Sequence, residues 1–177
     1  GSYAGGQGRR YLRQLGSIED LMSLSQDTTM EVLEGLHRRV DIEAASRLRL
    51  DGDVVYTVVF RRLHAGVAFG HTVVHLPPAV AETVFGSPHL VTGATSTHTV
   101  IGLLESCSPV PIAEAAQSIT VSAATDAAAA AVGCEPGHPM LRVDRLYTDS
   151  AGRAMELAVS QFLPEQYTYR VTLRRSG

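Results

Sequence analysis

The chain has 177 residues, a formal net charge of −3 and a sequence pI near 6.2. This length suffices for one domain with a substantial core, because roughly two-thirds of the unfolded surface can be buried at this size. The weakly acidic balance argues against a dominant nucleic-acid-binding surface, which would need clustered basic side chains.

Cysteine usage and apolar runs indicate an intracellular protein. Cys107 and Cys134 form no CxxC motif, so we expect no disulfide framework and no zinc site, and both thiols are expected to be buried. No apolar run approaches the ~18 residues of a membrane span, which predicts a cytoplasmic protein without membrane contact. Residues 1–10 read as a tag remnant and linker, and residues 11–177 as one domain.

The first elements follow from capping residues and apolar periodicity. A capping box that begins at Ser17 predicts a short helix over residues 18–25. Residues 30–39 fit a strand or a helix, and both interpretations stay open. Asp41 is the expected N-cap of a helix over residues 41–50. The side of that helix that faces the core is expected to carry Ile42, Ala45 and Leu48.

A β-branched and aromatic run over residues 54–62 predicts a buried strand. By the period of two, Arg62 ends a face that otherwise carries apolar side chains. Residues 66–76 return as its partner strand. The apolar side chains on the face of Arg62 are Val54, Tyr56, Val58 and Phe60.

Hydroxyl residues at 95–99 precede an apolar helical run at 100–105. They are N-cap candidates, and a helix N-terminus with several hydroxyls is also an anion site, so both interpretations stay open. The other expected elements are a helix over 79–84, a loop over 86–93, a strand or extended segment over 113–122, a helix over 126–132, a hairpin over 139–164 and a strand over 167–173.

A helix followed by a β-hairpin occurs twice, over residues 43–77 and residues 122–164. Each copy has an Ala-rich segment, a first strand that ends in Arg-Leu, a turn glycine and a second strand that ends in Leu-Pro. Two copies are too few for a solenoid. The sequence therefore predicts one pseudo-symmetric α+β domain, an antiparallel sheet with helices packed against it.

Pairing within the two hairpins singles out two arginines. With the second turn centred on Ser150-Ala151, Arg145 is expected opposite Glu156, where the two charges attract. With the first turn centred on Ala65-Gly66, Arg62 is expected opposite Phe69, without an evident carboxylate. A partly buried arginine of this kind either extends to water, pairs with a distant acid or binds a ligand anion.

Metal and covalent chemistry find little support in the sequence. His71 and His75 share a strand face, but no third ligand lies at metal spacing, so no metal site is predicted. The serines show no nucleophile-elbow context, so no covalent catalysis and no cofactor are predicted.

Several segments in a fixed order resemble one family, the UTRA domain. UTRA is the effector-binding domain of the HutC subfamily of GntR transcriptional regulators. The resemblance covers residues 11–175. It is carried by residues 15–20 and 44–52, by Arg62 with the turn and Leu76-Pro77, by Ser96-x-His98 before a helix, and by residues 137–156 from Gly137 through Arg145 to Glu156.

The resemblance implies a chorismate-lyase-like fold that dimerises and binds a small, often anionic metabolite. It implies an N-terminal winged-helix domain that binds DNA and precedes residue 1, so DNA is not a partner of this domain. Departures from the family pattern are Phe60 in place of an arginine, His98 in place of a common tyrosine, and Val67-Ala68 in place of Glu-Pro. The effector-binding residues implied by family position and by the helix-cap argument are Arg62, Ser96, Thr97, His98, Arg145 and Glu156.

Three functions stay open at this point. The preferred one is a non-enzymatic effector sensor that shifts a regulator between DNA-bound and released states. The second is a chorismate-lyase-like enzyme on the same fold, in which Arg62, Arg145 and Glu156 hold a dicarboxylate and protonate a leaving oxygen. The third is a structural dimerisation domain with a collapsed pocket.

Overall fold

The structure is a computed structural model that describes residues 11–15 and 28–176, with side chains from residue 28 onward. The predicted tag and linker at residues 1–10, the capping box at Ser17 and the helix over 18–25 lie outside the described residues. The strands are β1 (Tyr11–Leu15), β2 (Thr29–Val40), β3 (Val54–His64), β4 (Val67–Leu76), β5 (Thr95–Ser96), β6 (Ile112–Ala123), β7 (Pro139–Asp149), β8 (Ala154–Phe162) and β9 (Tyr167–Val171). The α-helices are α1 (Ile42–Arg47), α2 (Pro78–Ala81), α3 (Val100–Cys107) and α4 (Asp126–Val132), with 3₁₀ turns at Glu82–Val84 and Pro88–Leu90.

Seven strands form one antiparallel sheet in the order β5-β2-β3-β4-β8-β7-β6. Its centre is the pairing of β4 with β8, where Val73 lies opposite Val159. The units β2-α1-β3-β4 and β6-α4-β7-β8 are arranged symmetrically about this centre. The α+β fold class and the internal repeat are therefore confirmed, and each repeat also contains the strand before its helix. That assignment resolves residues 30–39 as strand.

Helices cover both faces of the sheet, which explains why the central strands are buried on both sides. On one face, Val58, Phe60 and Val74 pack against apolar side chains of α2, α3 and the 3₁₀ turns. On the other face, α1 packs its alanines against Val55 and Leu157. A cavity can therefore lie on either face, between the sheet and the helices that cover it.

The short helices begin where the sequence supplies a capping oxygen. Asp41 caps α1 as predicted, since its Oδ1 accepts a hydrogen bond of 3.0 Å from the Ala44 amide. The predicted inner side of α1 was wrong at Ile42, whose side chain is 73% exposed. The helix ends within two turns, because Arg49 adopts a left-handed φ of 58°. Its buried side chains are Ala44, Ala45 and the capping residue Leu48.

Both hairpin registers differ from the sequence predictions. Each hairpin contains a β-bulge, and the turn of the second one is also a residue longer than predicted, since the Asp149 amide donates to the Arg153 carbonyl. Arg62 pairs with Gly70, and Phe69 is the extra residue at the bulge that follows. In the second hairpin, Arg145 pairs with Ala158, whereas Glu156 pairs with Tyr147. The predictions that Arg62 faces Phe69 and that Arg145 faces Glu156 were therefore wrong.

Cysteine burial was also predicted incorrectly. Cys107 is exposed at the end of α3 and Cys134 is half-buried after α4, and both thiols are free. None of the helices in the described part of the chain has the length and apolar content that a membrane span requires.

Gly70 is a position at which no larger side chain fits. An added Cβ would lie 2.6 and 2.7 Å from two carbons of the Phe162 ring, which is itself stacked on Phe69 and Tyr167. We expect Gly70→Ala to lower the free energy of unfolding by about 1–3 kcal/mol. Gly52→Ala is the matched control, because no atom lies within 4 Å of its added Cβ. Urea unfolding of both variants checks this, and equal effects would contradict the packing argument.

Candidate anion-binding pocket

A cavity of about 50 Å³ lies between the sheet and the N-terminus of α3. It has room for about four water molecules, or for one carboxylate or phosphate group, since each water needs about 10–15 Å³ of such volume. Strands β3, β4, β7 and β8 form its floor. Its charged lining residues are Arg62, Arg145 and Glu156, and its aromatic walls are Phe60, Phe69, Tyr147 and Phe162.

Arg145 reaches this cavity from β7 and keeps unused donors there. Its side chain is 7% exposed, and its Nε donates to Gln117 Oε1 at 2.7 Å. Its Nη2 is buried and has no hydrogen-bond partner among the described residues. A buried charged donor without a partner raises the free energy of the folded state. An anion bound to this guanidinium would remove that cost.

Glu156 reaches the same cavity from β8 and is 3% exposed. Its Oε1 is buried without a partner among the described residues, and the expected ion pair with Arg145 does not form. Burial raises the pKa of Glu156 to about 8, against the opposing effect of the positive charge of Arg145. At neutral pH the side chain is therefore mainly a carboxylic acid, able both to donate and to accept a hydrogen bond.

Arg62 is the second guanidinium of the cavity and is 4% exposed. Its Nη1 donates to Thr28 Oγ1 at 2.9 Å, and its central carbon lies 5.4 Å from the centroid of the Phe60 ring. Phe60, the residue that departs from the family pattern, thus supplies a ring for a cation–π contact. The side chain is held in place by contacts on two sides.

The N-terminus of α3 contributes to the cavity through Thr99, Val100 and Ile101. Thr99 is the N-cap, and its Oγ1 accepts from the Gly102 amide at 3.1 Å. The amides of Val100 and Ile101 lie in the first turn, where an α-helix offers no internal acceptor. Backbone donors and the positive end of the helix dipole therefore lie beside the two arginines.

The predicted residues Ser96, Thr97 and His98 do not line the cavity. Ser96 lies in β5, where it pairs with Met30 of β2, and its Oγ accepts a hydrogen bond from the His98 amide at 3.2 Å. His98 is exposed and its ring lies 4.2 Å from that of His89. Of the predicted set, the cavity is therefore lined only by Arg62, Arg145 and Glu156.

Sequence reasoning missed the hydroxyl pair of Thr72 and Ser160. Their side-chain oxygens lie 2.8 Å apart on β4 and β8, and both residues line the cavity. By the period of two, Thr72 shares a face of β4 with Val74, which lines the same cavity. That signal was available, but the pairing of β4 with β8 joins two separate repeats, which no local pattern indicates.

The opposite face of the sheet carries a wider crevice of about 440 Å³ between α1 and the start of α4. Its arginines are Arg39, Arg47 and Arg142, and the last two contact Asp144 at 2.9 Å. His75 lies in this crevice, with its Nδ1 2.8 Å from Thr57 Oγ1, and burial lowers its pKa. Within residues 28–176 no group of three metal-ligating side chains occurs.

Comparison with known proteins gives a family. The sequence model of the UTRA domain matches residues 23–168. The HTH-type transcriptional regulator Rv0792c of Mycobacterium tuberculosis is 34% identical over 102 residues, which are 58% of this chain and 37% of that protein. The chain therefore spans well under half the length of this curated relative.

Solved structures agree in fold. YydK of Bacillus subtilis, described as a possible transcriptional regulator, superposes with a TM-score of 0.77 at 20% identity, over 94% of this chain and 69% of that one. The effector domain of PhnF from Mycobacterium smegmatis gives 0.77 at 16% identity, over 93% of this chain and 100% of that one. A chain from Bordetella bronchiseptica, described as the ligand-binding domain of a GntR-family regulator, gives 0.73 at 25% identity over 84% and 91%. This chain therefore belongs to the UTRA domain family, and it is an effector-binding domain of the GntR regulator class.

Proposed function

We propose that this chain is the sensing and dimerisation domain of a bacterial GntR regulator of the HutC subfamily. A small anionic metabolite binds in the cavity and changes DNA binding by a winged-helix domain that precedes residue 1. The relative Rv0792c, an HTH-type regulator of which this chain covers 37%, supports such an arrangement. The protein acts in the cytoplasm and the domain itself is not an enzyme.

One observation carries the ligand assignment. Within the part of the chain that the structure describes, a buried guanidinium nitrogen of Arg145 and a buried carboxyl oxygen of Glu156 have no hydrogen-bond partner, and both side chains line the same cavity. A carboxylate or phosphate group satisfies the guanidinium, and the protonated Glu156 donates to an oxygen of the same ligand. Because the cavity holds only one such group, the remainder of a larger effector lies outside the cavity.

A thermal-shift screen tests this proposal. The domain is heated with carboxylates, phosphosugars, urocanate-like acids and chorismate, because a ligand that binds the native state raises the melting temperature. We expect at least one anion to stabilise the domain and neutral analogues of the same size to have no effect. Stabilisation by neutral compounds alone would contradict the anion assignment. No shift with any compound would favour the purely structural domain.

The protonated Glu156 is also compatible with the alternative that the domain is a chorismate-lyase-like enzyme. A buried carboxylic acid with a pKa near neutrality is suited to general acid catalysis, and two arginines could hold a dicarboxylate. Chorismate samples from the screen are therefore assayed for product. We expect binding without turnover, whereas turnover that Glu156→Gln abolishes would establish a lyase and overturn the sensor.

Dimerisation is proposed to use the β6 edge of the sheet. This edge strand is 12 residues long, and its Ile119 and Val121 are 42% and 72% exposed. Long exposed edge strands readily pair with a second chain, and at the opposite edge the two-residue β5 covers Met30 and Glu31 of β2.

We expect Val121→Lys to weaken the dimer about tenfold or more, because it places a charge in the proposed interface. Light scattering after size exclusion over a range of dilutions measures the dissociation. Val91→Lys is the control, since Val91 is a loop valine that is 53% exposed. A monomeric wild type, or equal behaviour of the two variants, would exclude this interface.

A further inference from the structure

Strand β1 is held by a small ladder of its own. It pairs in parallel with β9 over five residue pairs, from Tyr11 with Tyr167 to Leu15 with Val171, and neither strand belongs to the seven-stranded sheet. A two-stranded ladder is marginally stable by itself. Its stability therefore depends on what anchors β9 to the rest of the domain.

The first anchor of β9 is an aromatic stack on the pocket wall. The ring centroid of Tyr167 lies 4.2 Å from that of Phe162 and 5.9 Å from that of Phe69, with interplanar angles of 12° and 8°. Phe69 and Phe162 both line the cavity. The beginning of β9 therefore contacts the apolar wall of the pocket.

The second anchor of β9 is the side chain of Gln117 on β6. It forms two short hydrogen bonds, one with Tyr169 of β9 and one with Arg145 of β7. The Oε1 atom of Gln117 accepts from Arg145 Nε at 2.7 Å, and its Nε2 donates to Tyr169 Oη at 2.6 Å. Arginine is only a donor, so it fixes which end of the amide faces it. The charge of Arg145 thereby sets the orientation of the amide that binds β9.

We propose that Gln117 is a positioning residue for Arg145, and that its bond to Tyr169 couples pocket occupancy to the β1–β9 ladder. An anion on Arg145 strengthens the docking of β1, and an empty pocket weakens it. The proposal rests on the proposed effector pocket and names the strand that receives its signal. Tyr169 pairs with Arg13 in the ladder, so the coupling ends on the segment that leads toward the chain's N-terminus.

The physical reason is the unused donor of Arg145. Among residues 28–176 the buried Nη2 has no hydrogen-bond partner, so without a bound anion, conformations in which the guanidinium turns toward another acceptor gain a hydrogen bond. Turning breaks the Nε bond to Gln117 and frees the amide to rotate away from Tyr169. An anion that binds Nη2 removes this tendency, so it favours the conformation in which β9 is anchored.

A double-mutant cycle without any ligand tests the coupling. Hydrogen exchange of the amides at 11–15 and 167–171 is measured in Arg145→Met, Tyr169→Phe and the double variant. We expect Arg145→Met to speed exchange about fivefold in the wild-type background, the loss of roughly one hydrogen bond. We expect no further increase when Tyr169 is already phenylalanine. Arg142→Met is the control, because Arg142 lies on the same strand but contacts Asp144 on the opposite face.

Additive effects of the two substitutions, or an equal effect of Arg142→Met, would overturn the coupling. Gln117→Leu supplies a second test, since it removes both hydrogen bonds and should make exchange insensitive to Arg145→Met. If Gln117→Leu fails to fold, the cycle with Tyr169→Phe still decides. Because no ligand is present, the coupling can fail while the pocket still binds an effector, and the thermal-shift screen reports that separately.

Discussion

Replacing Glu156 by glutamine is expected to remove roughly 4 kcal/mol of pH-dependent destabilisation between about pH 5 and about pH 9. Burial raises the pKa of Glu156 in the folded state to about 8, above the ordinary value of 4.5. The folded state therefore binds more protons than the unfolded state between these two values. The contribution of Glu156 to the free energy of unfolding is fully present below pH 4.5 and is lost as the pH rises through about 8. Glutamine resembles the protonated acid and does not ionise.

Urea unfolding of wild type and Glu156→Gln across this pH range measures the difference directly. Burial lowers the pKa of His71 and His75, which gives an opposite slope at acidic pH. That contribution cancels in the comparison, because both proteins contain the two histidines. Glu114→Gln, at an exposed position of β6, is the control and should keep the wild-type profile. Parallel profiles for wild type and Glu156→Gln would mean that Glu156 ionises normally.

Arg145→Met is expected to weaken binding of the anion found by the screen by about 100-fold or more, because it removes a buried charged partner of the ligand. Its effect on stability should be small or favourable. The wild-type guanidinium has a buried nitrogen without a hydrogen-bond partner among the described side chains and backbone, and an apolar side chain of similar length does not need a partner. Calorimetric titration and urea unfolding together measure the two effects.

Arg142→Met is the matched control for this substitution. Arg142 lies three residues earlier on β7, contacts Asp144 at 2.9 Å and faces the opposite side of the sheet. We expect it to lower stability, since it removes a partner of the largely buried Asp144, and to leave anion binding unchanged. Equal loss of binding in the two variants would mean that the effect is not local to the pocket.

The sequence was informative wherever a property is local or repeated. The two hairpins, the Asp41 cap and the helix at Asp126–Val132 were predicted because turn glycines, capping oxygens and period-two runs act over a few residues. Register was not predictable to the residue. The extra residues at the bulges near Arg62 and Tyr147 shift the pairing, and no side-chain pattern indicates them.

The residues of the candidate site were likewise predictable where the signal is local and not where it depends on distant strands. Period-two alternation placed Arg62 on an apolar face, and the UTRA resemblance added Arg145 and Glu156. The sequence did not reveal that Glu156 Oε1 is buried without a hydrogen-bond partner among the described residues, since that depends on β7 and α3, which are distant in sequence. The hydroxyls before α3 were placed in the pocket by analogy, yet only Thr99 lies there. The roles of Ser96, Thr97 and His98 in binding stay predictions.

A crystal structure of the domain with the anion identified by the screen tests the central claim most directly. We predict that the anionic group lies in the cavity between the sheet and α3, within hydrogen-bond distance of Arg145 Nη2 and the carboxyl group of Glu156. The wider crevice between α1 and α4 offers three arginines on the opposite face and is the competing location. An anion bound in that crevice, with the cavity beside Arg145 holding only water, would contradict the account.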